Sequence, residues 1–298
     1  MEKEIAMSRK LAEDPLVRKW MINQKDMDLT QLVQEQLDSY RDFISSGTHF
    51  MAVKSSLNYS LEDIEQPAKT LKKDLTADRW FFEPLDIVGG DFYFLKQTNE
   101  DIWLAGIDCT GHGVSGAFMT MMANVLLKDI IEANSKVGPD QILQQFHYKL
   151  KDSLKSSSNF DHLDNGLDMS LCKIYGINDR LEFSGAGLPF IYSDENGVHE
   201  IRGDSLHIGY NIDKDYSFTK HTIKIKAGMT GYLLTDGILD LPGGEKGFGL
   251  GRSGLINILE SVSRLPLKEQ EEAIKKQLKT YKGNYHKKDD LLLMGFRL

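Results

Sequence analysis

Cysteine is scarce: the 298-residue chain holds two, Cys109 and Cys172, with no CxxC spacing. That excludes a disulfide framework and a cysteine-built structural zinc site. Long apolar runs are missing too. The longest candidate, GAFMTMMANVLL, carries polar residues and falls short of the roughly 18–20 residues a membrane span needs. The amino terminus, MEKEIAMSRKLAEDP, lacks the apolar core of a signal peptide. Positive charge is in deficit, with 36 Lys and Arg against 44 Asp and Glu, a net charge of −8 and a pI of about 5.5. A general nucleic-acid binder needs the opposite balance, and an acidic surface repels anionic lipid. These absences imply a soluble protein of a reducing compartment, expected in the cytoplasm, with no nucleic-acid partner and no membrane span in this chain.

What is present is ordinary globular material, 41% hydrophobic and 27% charged. The length suits one large domain plus an appendage. Residues 1–64 read as mostly helical. Leu29, Leu32, Val33, Leu37, Tyr40 and Ile44 recur at spacings of three and four and predict an amphipathic helix over 29–44. Ser45, Ser46 and Gly47 end it, and a less regular helix covers 3–13, before Pro15. Residues 65–79 are polar, contain Pro67 and read as a linker.

From residue 80 to 298 the texture becomes that of a separate domain. Short β-type runs follow one another: RWFFEPL, GDFYFL, DIWLAGID, DMSLCKIYGI, RLEFSGA, PFIYSD, GVHEIRG, FTKHTIKI, TGYLLTDG and DLLLMGF. Turn signals such as Asn178-Asp179 and Asn196-Gly197 separate them. Helices are predicted over 114–133, 139–156 and roughly 252–281. The first should bury Phe118, Met121, Met122, Val125, Leu126 and Ile130, and Met119, Met121 and Met122 read as core filling. The pattern predicts an α+β fold with helices packed outside sheets.

Aspartates recur where these strands meet turns. Asp91 follows Gly89-Gly90, Asp108 precedes CTGHG, Asp236 precedes Gly237, and Asp289-Asp290 precede the last strand. Any one of them reads first as a turn or cap residue. Together they would let carboxylates from distant segments converge at one sheet edge. Clustered carboxylates repel one another, and a hard divalent cation relieves that repulsion. All-oxygen ligation points to Mg²⁺ or Mn²⁺, and two such ions make the clamp used in phosphoester hydrolysis.

The ordered set P-x-x-x-V-G-G-D-F-Y (84–93), D-C-T-G-H-G-V (108–114), T-D-G (235–237) and D-D-L (289–291) resembles the metal-dependent (PPM, type 2C-like) serine/threonine phosphatases. Within them it resembles the sporulation stage II protein E branch. IDCTGHGVSGAFMTMM, FSGAGLPFIY, LPGGEKGFGLGR and KKDDLLLMGFRL narrow the resemblance to the SiaA-type phosphatases. It covers residues 80–298. The fold it implies is a central antiparallel β-sandwich flanked by helices on both faces (αββα).

The resemblance also implies a site. Asp108 would bridge two Mn²⁺ or Mg²⁺ ions, and the backbone carbonyl of Cys109 would serve one of them. Asp236 and Asp289 would bind the other, and Asp91 would complete the site directly or through water. Asp290 is either a further ligand or a support for its neighbour. His112 stands four residues after Asp108 and serves either as a general acid or as a hydrogen-bonding residue of the loop. Asp164 reads first as a turn residue, and it and Asp168 are secondary candidates for an outer metal position. Cys109 lacks the closely following arginine of a cysteine-nucleophile phosphatase, and GGD continues into FYFL, unlike a nucleotide cyclase.

The implied activity is hydrolysis of phosphoserine or phosphothreonine on a small phosphorylated regulatory protein, in partner-switching signalling. Two alternatives are an inactive phosphatase-like module that captures a phosphoprotein, and a small-molecule phosphoesterase. The segment LAEDPLVRKWM to GTHFMAVKSSLNYSLED, within residues 1–64, resembles the start of a Cache-type sensor, without the rest of that sensor or its spans. That suggests either a naturally short form or an abbreviated chain. The 29–44 helix would dock on the catalytic domain, mediate homodimerisation or bury its own face locally.

Overall fold

The period of two along each strand decides how this protein is layered. In β3 (Asp101–Cys109), Ile102 and Leu104 face one way while Trp103, Ala105 and Ile107 face the other, and all five are buried. A strand reads as an unbroken apolar run when both its faces are covered. The structure, a computed structural model, describes residues 77–83, 89–98, 101–111, 113–134, 136–155, 166–176, 179–210 and 217–298. The expected N-terminal helices and nearly all of the 65–79 linker lie outside the described residues.

Two five-stranded sheets form the centre. One comprises β1 (Ala77–Glu83), β12 (Leu291–Arg297), β9 (Thr230–Leu234), β6 (Phe190–Asp194) and β7 (Gly197–Ile201), in that order. The other comprises β2 (Asp91–Gln97), β3, β4 (Leu167–Tyr175), β5 (Arg180–Ala186) and β8 (His221–Lys224). Every pairing within them is antiparallel. Between the sheets, Leu104, Cys172, Leu181 and Phe183 of the second meet Phe190, Leu233, Met294 and Phe296 of the first.

The outer faces take the helices. Trp103, Ile107, Met169 and Leu171 pack under α1 (Gly113–Ala133) and α2 (Pro139–Lys155). Tyr232, Leu234, Leu291 and Leu293 pack under α3 (Asp236–Asp240), α4 (Gly251–Val262) and α5 (Leu267–Lys282). A small hairpin, β10 (Pro242–Gly243) with β11 (Phe248–Gly249), lies between α3 and α4. The result is the expected αββα sandwich.

Some details differ from the sequence reading. The first strand begins at Ala77, inside the expected linker. The single helical region expected over 252–281 is two helices, because Pro266 cannot continue a helix; α5 starts after it and ends at Gly283, with φ of 52°. The short helix α3 was not expected, since five residues are too few to show a helical period. The buried face of α1 is Met119, Met122, Ala123, Leu126, Leu127, Ile130 and Ile131, with Met121 and Val125 only half-buried. That face is rotated toward β2 and β3; of the Phe118 side chain nothing is described.

A lysine is buried in this core. Lys173 in β4 pairs across the strand with Trp103, and its ammonium lies 4.9 Å from that ring and 4.6 Å from the Tyr175 ring. It reaches Oδ2 of Asp101 at 3.1 Å and donates to the Val137 carbonyl at 3.3 Å. Removing one member of such a pair leaves the other charge buried. Asp101→Ala should therefore lower unfolding stability by about 3 kcal/mol, read by urea denaturation.

Candidate active site

Strand register places the first acids. Asp91 opens β2 and stands opposite Asp108 of β3, which stands opposite Asp168 of β4. Asp108 and Asp168 share the face of Leu104 and Cys172, which looks toward the other sheet. From that other sheet, β9 hands over at Leu234 to Thr235 and Asp236, and β12 starts directly after Asp289-Asp290. Because β9 and β12 are hydrogen-bonded neighbours, with Leu234 opposite Leu293, their acids arrive together. The aspartates of both sheets thus meet at one end of the sandwich.

Hydrogen bonds hold the two halves in register. The Thr235 hydroxyl donates to Oδ2 of Asp91 at 2.5 Å and accepts from the Leu292 N–H at 3.2 Å. The Gly90 N–H donates to Oδ2 of Asp290 at 2.6 Å, across 200 residues of sequence. The Asp290 N–H in turn donates to Oδ1 of Asp289 at 2.8 Å. The Asp290 side chain therefore holds the Gly-Gly-Asp turn, while its backbone N–H reaches Asp289.

The backbone is as constrained as the side chains. A Cβ on Gly90 would lie 2.6 Å from the carbonyl oxygens of both Cys109 and Gly111, so only glycine lets β2 approach the loop that leads into α1. The Cys109 carbonyl is thereby fixed beside the acid cluster. The Thr120 hydroxyl in α1 donates to the Gly90 carbonyl at 3.2 Å and to that of Gly116 at 2.9 Å, tying the helix to the same turn.

Electrostatics follow from burial and crowding. Burial, then repulsion from Asp91 and Asp236 and a hydrogen bond with Asp236, push the Asp108 carboxyl from its ordinary 3.8 up to about 10. Burial also raises Asp91 well above the carboxylate range, against the Thr235 hydrogen bond and with repulsion from Asp290, Asp289 and Asp236. Asp289 is raised by burial and then by its acidic neighbours. Among the described residues no group of three or more His, Cys, Asp or Glu is already set as a shell able to hold a metal ion. The donor set nevertheless fits one: crowded, mutually repelling carboxylate oxygens are what a hard cation accepts.

Asp91, Asp108, Asp236, Asp289 and Asp290 are thus brought together, as the sequence suggested. His112 and Asp164 lie outside the described residues. Asp168 joins the edge of the cluster, raised by burial and by Asp236, and its Oδ1 lies 2.5 Å from Nδ1 of half-exposed His207. His207 escaped the sequence reading, as did the role of Thr235, which was legible only as the first letter of T-D-G. Burial pushes the Cys109 thiol up, which disfavours the thiolate a cysteine nucleophile needs.

The profile of the stage II sporulation protein E (SpoIIE) family matches residues 98–298. The chain belongs to that family. The SiaA-PP2C domain of Pseudomonas aeruginosa is 34% identical over 73% of this chain and 83% of that one, with a TM-score of 0.65. Two solved structures share the fold at lower identity. RsbX in complex with magnesium has 18% identity over 73% and 92% of the two chains, with a TM-score of 0.50. The RsbU and RsbW domains of a Mycobacterium tuberculosis protein have 15% identity over 70% and 55%, with a TM-score of 0.55. No curated protein matches the chain. As a SpoIIE-family member it carries a PP2C-type serine/threonine phosphatase domain.

Two expectations follow from this site. Thr235→Val keeps the shape but removes the donor to Asp91; phosphatase activity should fall about 10- to 100-fold with the fold intact by circular dichroism. Second, Asp108 binds a proton in the folded state up to pH of about 10 but releases it near 3.8 when unfolded. Between those values the folded state holds more protons, so the stability of EDTA-treated protein should fall as pH rises through the window. Thermal unfolding at pH 5 and pH 9 checks this, and Asp108→Asn should flatten the slope.

Proposed function

We propose that this phosphatase hydrolyses phosphoserine or phosphothreonine on a small regulatory protein, with two Mn²⁺ or Mg²⁺ ions held by Asp91, Asp108, Asp236, Asp289 and the Cys109 carbonyl. The observation that carries the reading is the convergence of mutually repelling carboxylates from four distant segments at one end of the sandwich, with Asp91 buried and Asp108 half-buried. The magnesium reported with RsbX supports the choice of a hard cation. When bound, such ions supply an acidified water and positive charge against the phosphoryl oxygens.

The chain's own residues do the rest. Asp108, reached by both Asp91 and Asp236 electrostatically, is the acid that would help hold both ions. Asp236 and Asp289 stand on the side of the first sheet, and Asp91 is oriented by the Thr235 hydroxyl. Asp290 holds the Gly90 turn in place and is not needed as a ligand. The N-terminus of α1, next to the Cys109–Gly111 loop, favours the phosphate anion. His112 is a candidate to protonate the departing serine oxygen. The reaction adds water to phosphorus, breaks the bond to the serine or threonine oxygen, and releases a free hydroxyl and inorganic phosphate.

A regulatory protein as substrate is the inference from family membership, and the RsbU and RsbW domains found together in the M. tuberculosis neighbour are in keeping with it. Asp108→Ala and Asp236→Ala should each abolish Mn²⁺-dependent phosphate release while leaving the circular-dichroism spectrum unchanged. Full metal-dependent activity in both variants overturns the assignment. Phosphopeptides tested against nucleotides separate this reading from a small-molecule phosphoesterase, and EDTA-sensitive turnover separates it from an inactive capture module.

A further inference from the structure

Beside the acid cluster lies an exposed surface that the hydrolysis does not use. Phe248 at the end of the β10–β11 hairpin is 69% exposed, and Tyr285, in the loop between α5 and Asp289, is 40% exposed. Among the described residues the other exposed large apolar side chains are Leu95 and Tyr148, so two open aromatics on adjoining segments need a reason. They are not on loose segments. The Tyr281 hydroxyl donates to the Phe248 carbonyl at 2.9 Å, and the Gly244 N–H donates to the Tyr281 carbonyl at 2.9 Å. The Tyr285 ring lies against Gly247, where a Cβ would come within 2.7 Å of it.

Both segments lead straight into the site. The hairpin follows α3, whose first residue is Asp236, and Gly249 rests on the backbone of Leu239 and Asp240 at the far end of that helix. A five-residue helix is about 7 Å long, a distance that about three residues of extended peptide cover. The Tyr285 loop ends at Asp289. Charge changes sign here as well. The stretch YKGNYHKK (281–288) holds Lys282, Lys287 and Lys288 and no acid, and exposed Lys246 stands on the hairpin beside exposed Glu245, so the two segments are net positive in a chain whose net charge is −8.

We propose that this surface docks the phosphoprotein substrate. Phe248 and Tyr285 receive an apolar side chain within about three residues of the phosphoserine, and the Lys246 and Lys288 side attracts acidic residues flanking it. The proposal rests on the phosphatase reading above. A phosphorylated segment carries roughly two negative charges and would otherwise approach a like-charged protein. A local basic rim converts that repulsion into steering. Aromatic anchors with a charged rim are what a protein substrate requires and a small phosphoester does not.

The test measures kcat/KM of the full chain with Mn²⁺ on three probes. These are p-nitrophenyl phosphate, a phosphoserine peptide flanked by leucine and glutamates, and the same peptide with serine and lysines in their place. The acidic, leucine-bearing peptide should be preferred over the lysine peptide by about tenfold. Phe248→Ala and Lys246→Glu should each remove most of that preference through KM, with the aryl phosphate rate unchanged. An absent preference, or equal losses on all three probes, overturns the docking surface. A change of oligomeric state in Phe248→Ala with peptide kinetics untouched also overturns it, and marks the patch as a contact between copies of the chain. Failure to hydrolyse even the aryl phosphate would count against the phosphatase reading itself, which keeps the two failures apart.

Discussion

Carboxylates that repel one another are brought together at one end of the β-sandwich, and the rest of the site is arranged around that cost. Asp91 is buried and Asp108 half-buried, while Asp236 and Asp289 reach solvent. None of them is free to move away, because each sits at a strand end whose position the sandwich core decides. Burial and that repulsion raise Asp108 and Asp91 above the usual carboxylate range, and a bound divalent cation would relieve the same repulsion.

The devices that hold the acids in place are small. Thr235 joins Asp91 of one sheet to the Leu292 backbone of the other, and Asp290 joins the Gly90 turn to the start of β12. Gly237 shows how close the backbones come: a Cβ there would collide with the Asp290 carbonyl. Such contacts convert the packing of two sheets into the spacing of a few oxygens. The same rigidity extends outward, since the hairpin and loop that carry Phe248 and Tyr285 are pinned to each other by Tyr281. Chemistry and docking are therefore built on the same pair of segments, those that begin with Asp236 and end with Asp289.

Much of this was legible in the residues. Strand runs from RWFFEPL to DLLLMGF announced ten of the strands, because sheets covered on both faces leave continuous apolar stretches. Asp-Gly pairs at strand ends marked the acids. What escaped had no periodic signature: α3 is too short, β10 and β11 are two residues each, and the break between α4 and α5 hangs on Pro266 alone. His207 was invisible for a different reason. Its partner Asp168 lies 39 residues away, and nothing local in DSLHIGY says that the two meet.

The sequence by itself determined the donor chemistry, the number and order of the acids and the layered α+β class, since these depend on residue type and local period. Membership in the SpoIIE family, carried by the order of those same motifs, belongs on that side too. Tertiary structure alone decided which oxygens face one another. Register set Asp91 against Asp108 and Asp168, and the meeting of two sheets added Asp236 and Asp289. It also buried Asp290 against the Gly90 turn and left adjacent Asp289 exposed, two residues that a sequence reads alike. Alternation along a strand sends neighbours to opposite sides, and only the packed neighbour on each side tells what each one holds.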